Sequence, residues 1–201
     1  MITVIDYGIG NIGSILNMFR KIGAPCQTTK DPDTISHAEK LVLPGVGSFD
    51  AGMRSLVETG MDRAIINAAN KDTPLLGVCL GMQLMTRGSA EGTLSGLNLI
   101  SGHCVKFDLK NKGLRVPHMG WNVVTPTETA RLFNLDEEEL RYYFVHSYHV
   151  VCDDASDIAA ETTYGLKFTC AFQHGNIYGA QFHPEKSHRY GMDMFRKFAK
   201  V

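Results

Sequence analysis

PLLGVCLGMQ, residues 74–83, joins an apolar run to a helix-like pattern through a cysteine that stands between two glycines. A nucleophile elbow has this form, because the reactive side chain sits on a strained strand-to-helix turn and glycines are needed where a side chain would strike the backbone. The helix N-terminus favours a thiolate at Cys79, and the N–H of Leu80 points at an oxyanion formed beside the sulfur. Most free cysteines are instead small buried hydrophobic residues, so the elbow alone leaves both interpretations open.

A candidate base and a carboxylate occur together far downstream, in QFHPE at residues 181–185. Pro184 favours an extended backbone at His183, and in extended chain residues two apart project to the same side. Glu185 can therefore hold one ring nitrogen of His183 while the other nitrogen faces a thiol, as in a triad of nucleophile, base and orienting group. We expect Cys79, His183 and Glu185 to form such a catalytic triad.

A third stretch, KLVLPGVGSF at residues 40–49, is an apolar strand that ends in a glycine-rich turn. In hydrolases with a nucleophile elbow, the loop after an early strand supplies a second backbone N–H to the oxyanion. We therefore expect an oxyanion hole formed by Val46, Gly47 and Leu80. The alternative is an ordinary glycine turn without a catalytic role.

These three stretches resemble those of the class I (triad) glutamine amidotransferases, and most closely those of the glutaminase subunits of imidazole glycerol phosphate synthase. The elbow and the His-Pro-Glu sequence are common to the whole superfamily, whereas PHMGWN narrows the resemblance to these subunits. The resemblance extends nearly from end to end through DYGIGN (6–11), PGVG (44–47), GVCLGMQ (77–83), PHMGWN (117–122), YFVHSY (143–148) and QFHPEKS (181–187).

The resemblance implies a glutaminase that hydrolyses L-glutamine to glutamate and ammonia, and that passes the ammonia to a partner cyclase of histidine biosynthesis in a heterodimer. It implies neither a cofactor nor a metal. A paralogue that feeds ammonia to a sugar-amidating synthase in surface-polysaccharide biosynthesis has nearly the same glutaminase half and stays the alternative. The glutamine is expected to be held by Gly45, Gln83, Glu91, Ser147 and Tyr148. Relatives carry paired acids near Glu91, whereas this chain has SAE at 89–91.

The resemblance also implies a partner interface at Met119, Trp121 and Asn122, near the mouth of an ammonia channel. Trp121 is the only tryptophan, and it stands beside turn residues rather than inside an apolar run. Aromatic side chains with amide neighbours are common at partner surfaces. We therefore favour an interface at Trp121 over the alternative, which is burial in the core.

Composition is that of an ordinary globular protein. The chain has 201 residues, 44% of them hydrophobic and 20% charged, and we expect a single domain over 1–201. A net charge of −1 gives no electrostatic footprint for nucleic acid or a membrane surface. The five cysteines include no C-x-x-C pair, which favours a reducing cytoplasm.

Strands alternate with helical patterns in the first half of the chain, which is typical of a parallel, doubly wound sheet. Strands are predicted over 2–6, 41–43 and 75–78, and helices over 11–22 and 51–69. Beyond Gly96, short β-like runs follow at 97–106, 122–125, 141–151, 158–163, 168–174 and 177–182, and a last helix covers 187–200. We therefore expect an α/β fold in which a mostly parallel sheet has helices on both faces and an antiparallel extension. The resemblance makes that fold flavodoxin-like.

Several features suggest other functions. GIGNIG at 8–13 matches the dinucleotide fingerprint, with Asp31 or Asp33 near the place of a ribose-binding acid, but such a match is common in a chain with 20 glycines. His146 and His149 suggest a metal, yet on one strand over 141–151 they face opposite sides. The acidic run at 136–139 is interpreted as a solvated helix face. Two alternatives stay open. A stand-alone cysteine peptidase would cleave amides without a partner, and a nucleotide-binding module would be stabilised by a dinucleotide and not by glutamine.

Overall fold

The computed structural model describes residues 1–110 and 112–201. Its strands form one mixed sheet and are β1 (Ile2–Ile5), β2 (Cys26–Thr29), β3 (Lys40–Leu43), β4 (Leu75–Val78), β5 (Gly102–Lys106), β6 (His118–Pro126), β7 (Leu140–His146), β8 (Tyr148–Cys152), β9 (Ile158–Tyr164), β10 (Leu166–His174) and β11 (Ile177–Ala180). Its α-helices are α1 (Ile12–Lys21), α2 (Pro32–Ser36), α3 (Phe49–Glu58), α4 (Met61–Ala69), α5 (Leu80–Leu84) and α6 (His188–Lys200). No helix among the described residues is long and apolar enough to span a bilayer.

The sheet has a parallel part and an antiparallel part. Strands β2, β1, β3, β4 and β11 lie side by side in that order and are parallel. Strand β10 pairs antiparallel with β11 and continues the sheet through β9, β6 and β7, while β8 pairs with β10 and β5 pairs with β8. The predicted α/β fold, with a parallel sheet extended by antiparallel strands, is confirmed.

Two hydrophobic clusters cover the two faces of the parallel strands, because alternate residues of a strand project to opposite sides. On one face, Val4 and Val42 pack with α1 and α6. The rings of Phe19 and Phe195 meet there with their centroids 4.5 Å apart. On the other face, strand residues such as Leu41 pack with α3, α4 and α5. Helices therefore lie on both faces, as a parallel sheet requires.

Several details differ from the sequence-based expectations. The single helix expected over 51–69 is two helices, α3 and α4, because the chain turns at Gly60, whose φ of +71° glycine adopts readily. The acidic run at 136–139 is not helical but lies in an irregular segment before β7, where Glu137 Oε1 accepts a hydrogen bond from Arg189 Nη2 at 2.7 Å. Strand β2 was not predicted, since its sequence CQTT has no apolar run.

The strand expected over 141–151 is interrupted at Ser147, which separates β7 from β8. This break changes the alternation of side chains between the two strands. The expectation that His146 and His149 face opposite sides is therefore wrong. Both rings pack against Phe107, with centroid distances of 5.2 and 4.8 Å. Among the described residues, no three potential ligands come together to hold a metal ion.

Candidate active site

The carboxyl ends of the parallel strands β1, β3, β4 and β11 meet at one edge of the sheet, where open α/β sheets bind their ligands. A cavity of about 350 Å³ opens there, within the size range of small-molecule sites. It is lined by Val46, Gly47, Cys79, Leu80, Gln83, Glu91, Pro117, Val145, His146, Ser147, Tyr148, His183 and Lys186. Residues from the elbow, the glycine turn and the His-Pro-Glu stretch thus share one cavity.

Cys79 lies on the turn between β4 and α5, with φ +54° and ψ −110°. A positive φ is uncommon for a residue with a side chain and is a mark of a strained turn. The two flanking glycines permit this turn. A Cβ at Gly81 would lie 1.8 Å from the carbonyl oxygen of Leu43, and one at Gly77 would lie 2.7 Å from the carbonyl oxygen of Gly81. Both positions therefore require glycine for the chain to fold back so tightly.

His183 and Glu185 form a buried pair in which Nδ1 of the ring and Oε1 of the carboxylate are 2.9 Å apart. The backbone of His183 is extended, as expected, but Glu185 reaches the ring from a 3-10 turn over Pro184–Lys186 rather than from extended chain. Burial by itself lowers the pKa of His183, but Cys79 and Glu185 raise it to about 10. Both neighbours therefore favour the protonated form of this ring.

The glycine turn at 44–47 packs directly against the elbow. A Cβ at Gly45 would lie 2.8 Å from the amide nitrogen of Gly81 and 2.7 Å from the Tyr7 hydroxyl, so only glycine fits. The buried hydroxyl of Tyr7 donates a hydrogen bond to the carbonyl of Pro44 at 2.8 Å. Val46 and Gly47 line the cavity, and Gly47 has φ +106°. The turn is thus anchored at its start, by Tyr7, while its later part faces the cavity.

Four of the five residues expected to hold glutamine line the cavity, and Gly45, which lies against the elbow, does not. Glu91 Oε2 accepts a hydrogen bond from the N–H of Phe49 at 2.9 Å, at the start of α3, where the helix dipole stabilises a carboxylate. Gln83 Nε2 donates to the carbonyl of Tyr148 at 3.1 Å. The carboxylate of Glu91 is therefore fixed at the cavity wall. The amide of Gln83, by contrast, donates its hydrogen bond to the protein backbone at Tyr148.

The three residues expected at the partner interface lie on β6. Met119 and Trp121 project to the same side and are 61% and 45% exposed. Trp121 lies inside the strand rather than beside a turn, which corrects the expectation, and its ring stacks on His188 at a centroid distance of 5.5 Å. Asn122 projects to the other side, where its Nδ2 donates to the carbonyl of Thr163 at 2.9 Å. The solvent-exposed face of β6 is therefore formed by Met119 and Trp121.

The glutamine amidotransferase class-I family model matches residues 3–201. The chain belongs to this family. This amidotransferase is 51% identical over 201 residues to imidazole glycerol phosphate synthase subunit HisH 2 of Methanococcus maripaludis, with 100% of this chain and 99% of the relative covered. It is 45% identical over 202 residues to the protein of the same name from Pseudomonas aeruginosa, with 100% of both chains covered.

Solved structures of low sequence identity share the fold of this amidotransferase. PurLQS from Thermotoga maritima matches with a TM-score of 0.76 at 16% identity, over 99% of this chain and 97% of that one. The glutaminase domain of Trypanosoma brucei CTPS with bound acivicin matches with a TM-score of 0.65 at 17% identity, over 99% and 93%. At such identities the likeness concerns the fold alone.

Gln181 was not among the expected site residues of the amidotransferase. It is fully buried, and its Nε2 lies 3.9 Å from the sulfur of Cys79. The residue directly precedes the Phe-His-Pro-Glu sequence, but a pattern of residue types does not show where a buried amide points. Lys186, which follows Glu185 and lines the cavity, was also missed, because residue type alone does not place an exposed lysine at a cavity.

A buried histidine pair adjoins the cavity of the amidotransferase, with His146 in the cavity wall. His146 Nδ1 donates to the carbonyl of Tyr148 at 2.8 Å, so its Nε2 is the acceptor for Nδ1–H of His118 at 3.0 Å. Asn122 Nδ2 lies 3.3 Å from Nε2 of His118. Burial lowers the pKa of His118 to about 4 and that of His146 to about 3. Both rings are therefore neutral at physiological pH.

This pair is expected to make folding sensitive to acid. An unfolded histidine has a pKa of about 6.5, so below this value the unfolded chain binds more protons than the folded one. The resulting stability is present above about pH 6.5 and is lost as the pH falls toward the folded pKa values, by up to about 1.4 kcal/mol per pH unit for each ring. Urea unfolding of wild type and His118→Gln, at about pH 7 and about pH 5, measures this loss.

His118→Gln removes one of the two titrating rings and keeps an amide donor, so its stability is expected to fall less between the two pH values. His37 is exposed at the end of α2, and His37→Gln serves as the matched control, whose loss of stability is expected to exceed that of His118→Gln. Equal pH dependence in all three proteins would contradict the prediction.

Proposed function

We propose that this amidotransferase is the glutaminase subunit of an imidazole glycerol phosphate synthase, which hydrolyses L-glutamine and supplies ammonia to a cyclase subunit in histidine biosynthesis. Full-length relatives that bear this subunit's name at 40–51% identity support the proposal. The observation that carries the reaction is a single cavity lined by Cys79 and His183, with Glu185 bonded to the histidine ring. The cysteines of the chain are free thiols. Since free thiols are typical of proteins in a reducing cytoplasm, we propose that location.

In the first half-reaction, the thiolate of Cys79 attacks the side-chain amide carbon of glutamine and a C–S bond forms. The C–N bond then breaks, and the imidazolium of His183 gives its Nε2 proton to the departing nitrogen, which leaves as ammonia. Glu185 holds the opposite ring nitrogen and stabilises the imidazolium before this transfer. The product is a glutamyl thioester on Cys79 and a neutral His183.

In the second half-reaction, the neutral ring of His183 takes a proton from a water molecule as the water oxygen attacks the thioester carbon. The C–S bond breaks with its electron pair on the sulfur, which releases glutamate and restores the thiolate beside the imidazolium. Both half-reactions pass through an oxyanion. The N–H of Leu80 and one N–H of the Val46-Gly47 turn are the proposed donors to it.

Glu91, on the cavity wall, is the proposed partner of the substrate's ammonium group. Its carboxylate is fixed at the start of α3 by the Phe49 N–H, so little side-chain freedom is lost when an ammonium binds. The backbone around Ser147 and Tyr148 lines the same cavity and is proposed to hold the other end of the amino acid.

The exposed face of β6 is the proposed docking surface for the cyclase. Met119, Trp121 and Val123 alternate along this strand and are all exposed hydrophobic residues. Aromatic and methionine side chains are enriched at the centres of protein interfaces. The cavity edge lies next to this strand, since Pro117, which directly precedes β6, lines the cavity.

A glutaminase that worked without its synthase would waste glutamine, so we propose that the isolated subunit is slow and that the partner completes the oxyanion hole. The glycine turn at 44–47 is the proposed moving part. One oxyanion donor contributes about 3 kcal/mol, or about a hundredfold in rate. Glutamine hydrolysis is measured for this chain alone, with the cyclase, and with the cyclase and its ribonucleotide substrate. We expect kcat to rise about a hundredfold with little change in KM.

Docking is tested with a matched pair of exposed hydrophobic residues. Trp121→Ala is expected to weaken the complex and the activation. Val57 is 56% exposed on α3, and Val57→Ala is expected to leave both unchanged.

Equal turnover of the chain alone, with the cyclase, and with the cyclase and its ribonucleotide substrate would show that the oxyanion hole is preformed. Failure to bind the cyclase, together with tight binding to a sugar-amidating synthase, would replace the histidine pathway by the alternative.

A further inference from the structure

Two buried glutamine amides link the sulfur of Cys79 to a backbone carbonyl. Gln83 Nε2 donates to the carbonyl of Tyr148 at 3.1 Å and to Gln181 Oε1 at 2.9 Å. Gln181 Nε2 in turn lies 3.9 Å from the Cys79 sulfur. Gln83 and Gln181 are 5% and 0% exposed. The chain of bonds is therefore enclosed by protein between the carbonyl and the sulfur.

The direction of this chain follows from its first acceptor. A backbone carbonyl only accepts hydrogen bonds, so the end of Gln83 that faces Tyr148 is its NH2 group. The same NH2 group has a second hydrogen, which is donated to Gln181, so the oxygen of Gln181 faces Gln83. The NH2 group of Gln181 is thereby turned toward the sulfur.

The first acceptor is held firmly in place. Tyr148 begins β8 and lies opposite Lys106 of β5 in the sheet. Its carbonyl also accepts a hydrogen bond from His146 Nδ1 at 2.8 Å. Gln181 is anchored as well, since its backbone N–H donates to the carbonyl of Cys170 at 2.9 Å. The first acceptor and the backbone of Gln181 are thus both held by hydrogen-bonding or pairing with strands of the sheet.

We propose that Gln181 stabilises negative charge on the Cys79 sulfur by a hydrogen bond, and that Gln83 is a positioning residue that sets the direction of the Gln181 amide. The proposal rests on the proposed function, in which Cys79 is the nucleophile. A neutral amide gives up no proton during the reaction, so it supports the sulfur both before attack and when the C–S bond breaks. The N–S distance is long for a hydrogen bond, and such contacts shorten when the site is charged and occupied.

The test measures the alkylation rate of Cys79 by iodoacetamide as a function of pH, with the labelled cysteine identified by mass spectrometry. Gln181→Met removes the donor without adding charge, and we expect it to raise the midpoint pH of alkylation by about one unit. Gln83→Met removes only the hydrogen bond that orients the Gln181 amide. A smaller rise in the midpoint pH is therefore expected. In the double variant, the rise is expected to equal that of Gln181→Met alone, because Gln83 acts through Gln181.

The matched control is Gln27→Met on β2, where another glutamine donates within the protein, to Thr3 at 3.2 Å. Its midpoint is expected to equal that of wild type. A Gln181→Met midpoint equal to the control would overturn the role of Gln181, and additive effects in the double variant would overturn the role of Gln83. If Gln181→Met does not fold, the double variant, which leaves neither amide unpaired, carries the same expected shift.

Alkylation needs neither glutamine nor cyclase, so this test is separate from that of the proposed function. A wild-type chain that releases no ammonia with its cyclase would overturn the function, while the alkylation shift would still be measurable. A normal glutaminase without the alkylation shift would overturn only the inference about Gln181.

Discussion

Replacement of Cys79 by alanine is expected to lower kcat for glutamine hydrolysis about ten-thousandfold or more, since the thioester forms only through sulfur. The fold should persist, because the exchange removes only one sulfur atom from a side chain that borders the cavity. Ammonia release is measured with the cyclase and its ribonucleotide present, and thermal melting reports on the fold. Cys26→Ala on β2 removes a half-buried thiol far from the cavity and serves as the control, with activity close to that of wild type.

The other two members of the proposed triad extend this prediction. His183→Ala is expected to cost about as much as Cys79→Ala, and the double variant no more than either, because groups that act as a unit are not additive. Glu185→Gln is expected to cost less, since an amide oxygen still accepts from Nδ1. A Cys79→Ala protein that releases ammonia at the wild-type rate, once contaminating glutaminase is excluded, would refute the assignment.

Substitution of Gly81 by alanine is expected to lower the free energy of unfolding by more than about 3 kcal/mol, near the upper end for single substitutions. The new Cβ would lie 1.8 Å from the carbonyl oxygen of Leu43, which belongs to β3 and pairs in register with Gly77 of β4. Neither atom can move without loss of sheet hydrogen bonds or of the elbow. Urea unfolding measures the change, and glutaminase activity is expected to disappear with the elbow.

Gly13→Ala provides the matched control for this steric argument. Gly13 lies in α1, and outside its own helix backbone a Cβ there meets no atom of the described residues within 4 Å. The exchange is expected to stabilise the protein by about 0.5 to 1 kcal/mol, since alanine loses less backbone entropy in a helix. If the two variants had the same stability, crowding at the elbow could not explain the need for glycine at position 81.

The parts of the fold and site with strong local signals were predictable. The short apolar runs of β1, β3 and β4, each followed by a glycine turn or a helical period, indicate parallel strands with their carboxyl ends together. That arrangement alone brings Cys79 and the 44–47 turn to one edge of the sheet. The placement of His183 there follows from β11, whose apolar sequence is continuous with the residues before the histidine.

Other features depend on contacts between distant segments and had no local signal. The contact between Glu185 and the His183 ring was predicted, but from an extended chain. The 3-10 turn that makes this contact had no signal in the sequence. The orientation of Gln181 is set by Gln83, almost a hundred residues earlier in the chain. Ser147 lies between β7 and β8, so the alternation of side chains between the two faces of the sheet is interrupted there. Residue types alone do not reveal such a break.

The stacked position of Trp121 on β6 has an optical consequence. Since the chain contains one tryptophan, all of its indole fluorescence arises from a single half-exposed ring that lies parallel to His188 within 8°. A protein that covers this strand removes water from around the only indole. The emission maximum of Trp121 is then expected to shift, and no attached dye is needed. Trp121 is thus a natural reporter on the proposed docking surface for the second subunit. Binding of that subunit can be followed over time by tryptophan fluorescence.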